Sequence, residues 1–355
     1  MSRGTLIATA IISLVAIALA GIFLAPYLTP AAPSTTIRVG YLTADLHHIA
    51  YFVAKNKTVG GGQSFFEKYS VNVTDAVSGG YASGGVEMDA FAGGKVDIGF
   101  LGAPPAIIKH LNLGVNTTVI AQVNDIGSAI VVKPEVNNIS ELRGKTIGVP
   151  SRSSIQYFLL LNYAEKQNMS ITDFLIDEPL SGANMELKLQ SGAIDAFVAW
   201  EPFPSDAVNK GFGKLLATSS DIWPHHLDCV IVADKAFAAN HPSTVVNFLK
   251  AHIEATEWIN EAKSDPSSSQ YQLLVDIGVG FTAREASVVK EALSRIDYKY
   301  AVNLTFLSTF IEFTGKLIDF NMVPSTKLAE RGYEDKYDFT EKYVDESYLT
   351  AARSD

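Results

Sequence analysis

The chain has 355 residues, a formal charge of −10, 47% hydrophobic residues and only 19% charged ones. That is length for about two domains with ample core, and the composition excludes a disordered chain. The acidic balance argues against a dedicated nucleic-acid binder, which needs surplus lysine and arginine; the single cysteine, Cys229, rules out an intrachain disulfide framework and any zinc or iron–sulfur centre built of cysteines.

Residues 5–24 are apolar apart from Thr5, Thr9 and Ser13, and Arg3 precedes them. About 20 such residues span a bilayer core as a helix, so the segment reads as a membrane anchor. A cleaved signal peptide is the alternative, with Ala18-Leu19-Ala20 as a small-residue cleavage site. Arg3 places the N-terminus inside and the rest outside. No cysteine follows the apolar run, which excludes a bacterial-type lipid anchor. Residues 25–36, rich in Pro, Ala and Thr, form a tether. Asn-x-Ser/Thr begins at Asn56, Asn72, Asn116, Asn138, Asn168 and Asn303. This fits a glycoprotein surface, although Asn and Ser/Thr also share turns and caps.

Strand-like and helix-like stretches then alternate: strands over 37–41, 69–76, 96–101, 119–123, 129–132 and 146–149, helices over 49–55, 85–92, 106–111 and 155–167. This is the pattern of a mostly parallel α/β sheet. From 243 the pattern is helical, over 243–262, 268–277, 283–294 and 304–320. The last 25 or so residues, charged and Tyr-rich, are expected to form a loosely packed extension.

One internal repeat organises the chain. Gly94-Lys95-Val96-Asp97-Ile98-Gly99-Phe100-Leu101-Gly102-Ala103-Pro104 aligns without a gap on Gly192-Ala193-Ile194-Asp195-Ala196-Phe197-Val198-Ala199-Trp200-Glu201-Pro202. In both copies a Gly ends a helix, an apolar residue and an Asp follow, and an apolar run long enough for one buried strand stops at Pro. Two such copies imply two similar α/β lobes. Open sheets bind ligands at the carboxyl ends of their strands, so two facing lobes make a cleft.

In order and spacing the chain from 37 to 348 resembles the extracytoplasmic substrate-binding proteins of ABC importers, of the nitrate/sulfonate/taurine class. The matching pieces are Arg38-Val39-Gly40-Tyr41, Val96-Asp97-Ile98-Gly99 with Gly102-Ala103-Pro104-Pro105, and Leu142-Arg143-Gly144-Lys145-Thr146-Ile147-Gly148-Val149. They continue with Gly192-Ala193-Ile194-Asp195-Ala196 leading to Trp200-Glu201-Pro202-Phe203, and with His241-Pro242-Ser243-Thr244-Val245-Val246. The resemblance implies a type II periplasmic-binding fold. Its two lobes, 37–126 plus 234–355 and 127–233, are joined by crossovers near 125–132 and 227–233. It further implies a cell-surface receptor, a permease and an ATPase as partners, and an archaeal source would unite the anchor with the sequons. The expected molecule is a monomer without cofactor or metal.

The candidate ligand-binding residues lie where loops follow strands. Ser151, Arg152, Ser153 and Ser154 precede a helix, whose free N–H groups and partial positive charge suit an oxyanion. Gly80 and Tyr81 lie in a Gly-rich loop that lets a ligand approach backbone. Gly102, Ala103 and Pro104 join a strand end to a helix start. His47 and His48 are adjacent, and neighbours on a turn rarely converge on one ion, so a ligand contact is preferred to a metal. Trp200 and Glu201 end the repeat strand, Trp200 as a ring to stack on a solute and Glu201 as an acceptor for an amine or an Arg. By the resemblance, Asp125, Ser128 and Asp228 at the hinges join them, and 223–226 borders the cleft. Tyr41, Tyr81 and Trp200 would equally suit an aromatic or pyrimidine ligand. No nucleophile–base signature stands out. The thiamine-pathway pyrimidine synthases, which share the fold, carry a Cys-rich motif that Cys229 alone does not supply.

Overall fold

The computed structural model describes residues 35–354. The expected anchor at 5–24 lies outside them, as does the tether up to 34. Among the described residues no helix is long and apolar enough to cross a membrane.

Among the described residues eleven strands form two sheets. β1 (Thr36–Gly40), β2 (Asn72–Asp75), β3 (Ile98–Gly102), β4 (Thr117–Asp125), β10 (Leu227–Asp234) and β11 (Asp297–Tyr298) make the first, in the order β11-β4-β10-β3-β1-β2. β5 (Ser128–Val132), β6 (Thr146–Gly148), β7 (Leu175–Asp177), β8 (Ala196–Trp200) and β9 (Lys214–Thr218) make the second, in the order β7-β6-β8-β5-β9. The sheets are mixed, not mostly parallel. β1 runs parallel to β2 and β3 while β10 runs antiparallel to β3 and β4. β6 runs parallel to β7 and β8 while β5 runs antiparallel to β8 and β9. The chain passes from β4 to β5 through Ile126 and Gly127. It returns between β9 and β10, because 227–233, expected as a crossover closing the second lobe, pairs along its length in the first sheet.

The repeat is one structural device used twice. The helix Gly84–Ala92 stops at Gly93, with Gly94 left-handed at φ +63°, and the helix Gly182–Ser191 stops at left-handed Gly192, φ +78°. Each Asp then pins a neighbouring strand. Asp97 Oδ2 accepts the Arg38 N–H at 2.8 Å and its other oxygen meets Arg38 Nη2 at 2.6 Å. Asp195 accepts the Thr146 N–H at 3.1 Å and Lys133 Nζ at 2.8 Å. Asp at this register therefore ties β1 to β3 and β6 to β8, and the apolar run behind it is wholly buried in both copies.

The C-terminal stretch is not a loose extension. The helices Lys336–Tyr343 and Ser347–Arg353 close over the first sheet. Phe339 and Tyr343 are fully buried, and the Asp345 N–H donates to the Val119 carbonyl at 2.8 Å. The Phe339 and Tyr343 rings stack on each other and pack, tilted or edge-on, against His110, Phe310 and Tyr333.

Candidate functional site

Strands of both sheets end at one small cavity. β1 leads into Leu42, Asp45 and His47, β3 ends at Gly102, the loop after β6 brings Pro150 and Ser154, and β8 ends at Trp200. β10 runs the other way, so its first residues, Asp228 and Cys229, lie at the same place. The void is about 10 Å3, close to room for one water.

Three helices start there. Ser83 caps Gly84–Ala92, accepting the Val86 N–H; Ser154 caps Ile155–Lys166, accepting the Tyr157 N–H at 3.1 Å; Gly102 precedes Ala103–Leu113. Gly84, Gly102, Ser154 and Ile155 all line the cavity. The two loops touch across it, since a Cβ on Gly85 would come within 2.9 Å of Ser153 Oγ. Helix starts leave N–H groups unpaired and carry positive potential, although Pro104 and Pro105 remove donors from the third.

The opposite wall is acidic. Asp45 caps the short turn Leu46–His48, accepting the His47 N–H at 3.0 Å. His47 Nε2 lies 3.0 Å from the Gly127 carbonyl, which can only accept, so Nε2 carries the hydrogen and Nδ1 holds a lone pair. That nitrogen faces Asp45 Oδ1 at 3.3 Å, Asp228 Oδ1 at 3.7 Å and Cys229 Sγ at 3.6 Å. Burial pushes Asp228 up to about 8, raises Asp45 and the Cys229 thiol, and lowers His47 to about 3. No lysine or arginine is among the lining residues.

Of the sequence candidates, His47, Gly102, Ser154, Trp200 and Asp228 line the cavity. Ala103 and Pro104 open the helix behind Gly102, and Ser128 accepts from Gln156 Nε2 at 3.0 Å. Ser151 and Ser153 hydrogen-bond each other, 3.1 Å apart, beside Gly85, and are not among the lining residues. Arg152 is not part of the wall: its side chain is 57% exposed and pairs with Glu178, while Nη1 donates to Tyr157 at 3.1 Å. Glu201 accepts Arg295 Nη1 at 2.9 Å and the Ser205 N–H at 3.1 Å; of its two expected partners, the amine and the Arg, it has the Arg. His48 faces inward, its Nδ1 accepting the Leu42 N–H at 3.1 Å. Tyr41 donates to Asp75 at 3.0 Å and packs among Tyr51, Phe52 and Phe281, away from the cavity. Gly80 and Tyr81 hold the neighbouring loop, the Tyr81 N–H donating to the Tyr41 carbonyl at 2.8 Å. Asp125 accepts Gln122 Nε2 at 2.6 Å and stays outside the lining.

Sequence reasoning does not reach Asp45, Gln156 or Cys229 as site residues, although all three line the cavity. The signal for Cys229 was present: Asp228-Cys229 interrupts an otherwise apolar strand.

A family model described as the NMT1-like family matches residues 30–273. The taurine-binding periplasmic protein of Escherichia coli (strain K12) is 30% identical over 181 residues, half of this chain; the chain spans about half the length of that relative, 55%. The alkanesulfonate-binding protein SsuA from Xanthomonas axonopodis pv. citri, solved bound to MOPS, superposes with a TM-score of 0.71 at 18% identity, covering 85% of this chain and 99% of that one. The periplasmic nitrate-binding protein NrtA from Synechocystis PCC 6803 gives 0.70 at 17% identity, covering 91% and 89%. The likeness establishes the periplasmic-binding fold expected from the sequence.

Proposed function

The chain belongs to the NMT1-like family, and from that premise we propose that it is an extracytoplasmic solute-binding receptor of an ABC importer. It takes a small oxyanion-bearing solute between two lobes, one built on the first sheet and the other on residues 127–226. The observation that carries this reading is the convergence of three helix starts, from both sheets, on one cavity. Such ends bind anions without a buried cation. Trp200 Nε1, buried without a partner, supplies one more donor. A void of about 10 Å3 is too small for an organic sulfonate, so the lobes separate to admit it and close on it, a hinge motion about residues 126–127 and 219–226. The closed form is the one a permease driven by an ATPase would read. Capture of this kind needs no covalent step.

A second reading is favoured by Asp45 and Asp228: a zwitterion, its anionic end on the helix starts and its ammonium on the carboxylates. The test is thermal unfolding of the full chain with taurine, alkanesulfonates, nitrate, bicarbonate, aromatic carboxylates and aminopyrimidines. A solute at ~100 times its Kd stabilises by about 2.7 kcal/mol, a shift of a few degrees at this size. We expect a shift with one oxyanion class, reduced in Trp200→Phe and unchanged in Arg152→Ala. No shift with any oxyanion, or a shift with aminopyrimidines alone, overturns the reading.

A further inference from the structure

The acidic wall contains an arrangement that binding of an anion at the helix starts does not explain. His47 Nδ1 presents a lone pair to an oxygen of Asp45 at 3.3 Å. Two acceptors that close, in a site where every side chain is at least 98% buried, need either a proton or a metal cation between them. Cys229 Sγ completes the group, and one donor atom each from Asp45, His47 and Cys229 lies within 4.8 Å of the others. Asp228 Oδ1 flanks them, 3.4 Å from Sγ and 3.7 Å from Nδ1. Zinc-class ions bind S, N and O donors at ~2.0–2.3 Å in a tetrahedron, whose edges are then ~3.4 Å. Among these donors the Asp45–His47 and His47–Cys229 edges are 3.3 and 3.6 Å, and the edges from Asp228 to Cys229 and His47 are 3.4 and 3.7 Å.

We propose that Asp45, His47 and Cys229 form a binding site for a divalent zinc-class metal ion, with its fourth position toward Asp228 and the cavity. A thiolate and an imidazole select such an ion over calcium or magnesium, which take oxygen ligands. The charges balance: one carboxylate, one thiolate and one neutral imidazole neutralise a dication. The Cys229 proton, with any held on Asp45, leaves to solvent on binding. The ring is already oriented, because the Nε2–H donates to the Gly127 carbonyl, the outer hydrogen bond that metal-bound histidines use to fix their tautomer. The cluster draws on the loop after β1 and the start of β10, distant in sequence, with Gly127 of the crossover behind it. The ion would therefore sit at the junction of the two sheets.

The proposal does not rest on the receptor reading, and cobalt(II) tests it directly. The full chain, stripped with a chelator, is titrated with cobalt(II) and then with zinc. The expected result is one cobalt per chain, a thiolate-to-cobalt charge-transfer band and the intense visible bands of a tetrahedral ion, all displaced by zinc. Cys229 is the only cysteine, so the thiolate band identifies its own ligand even if a variant fails to fold. Changing residues around a metal site costs ~10–100-fold in affinity, so removing a ligand in Cys229→Ser or His47→Gln is expected to cost at least ~100-fold. His241→Ala, at a histidine outside the cavity lining, is expected to leave binding intact. Absence of the thiolate band, or zinc affinity retained in folded Cys229→Ser, overturns the proposal. Taurine stabilisation without a cobalt band would also overturn it, assigning this wall to the solute's ammonium and leaving the receptor reading standing.

Discussion

His110, far from the cavity, shows how a buried titratable residue is accommodated. Its Nδ1 lies 2.8 Å from the Val115 carbonyl and its Nε2 2.7 Å from the Tyr333 hydroxyl. The carbonyl fixes the hydrogen on Nδ1, so Nε2 accepts from Tyr333 and the neutral ring is satisfied. Burial, the largest cause, lowers its pKa from 6.5 to about 4. Between those values the unfolded chain takes up a proton that the folded chain refuses, so this contribution falls as pH drops from 6.5 towards 4. By that linkage the loss at pH ~5 is about 2 kcal/mol. His110→Gln lacks it, and the Tm of the wild type relative to this variant is expected to fall as the pH is lowered through that window. Ser154 and Gly102 were legible in the sequence because capping and strand ends are local chemistry. Arg152 was not: what takes its guanidinium is Glu178, a neighbour supplied only by the tertiary fold.

At the scale of elements, the repeat made β3 and β8 readable, since a continuous apolar run after Gly-x-x-Asp has one packing solution. Short strands such as β7, with three residues and a partly exposed face, carry too little pattern to be seen. The C-terminal helices were misread because their burial depends on aromatic rings meeting a surface built by other elements. Phe339 stacks on Tyr343 with centroids 5.0 Å apart, and Tyr343 in turn lies 3.1 Å from Thr117 Oγ1. Phe339→Ala is therefore expected to cost about 3–5 kcal/mol in urea unfolding, the range for a buried ring. A loss under 1 kcal/mol would mean that the segment does not pack on the first sheet.

At the scale of the whole molecule, two arginines flanking the helix Ala286–Ser294 reach across to the other sheet's elements. Arg284 meets Asp206 at 2.5 Å and Glu186 at 2.6 Å; Arg295 meets Glu201 at 2.9 Å. Glu201 is 1% exposed, so removing its partner leaves a buried carboxylate uncompensated. Arg295→Met is expected to destabilise by about 3–5 kcal/mol, and adding Glu201→Gln to recover much of that, because the charge goes with it. Urea titration of the three proteins checks both steps, and a second change that recovered nothing would exclude this account. The connectivity carries one more consequence. The second sheet is one uninterrupted stretch of chain, whereas β3 and β4 both wait for β10, which begins only at Leu227. As the polypeptide emerges N-terminus first, β5–β9 can pair while two strands of the earlier sheet still expose unpaired edges, the arrangement most open to misassembly. On this connectivity the second sheet is expected to form first and the first sheet to close last, once β10 has been made.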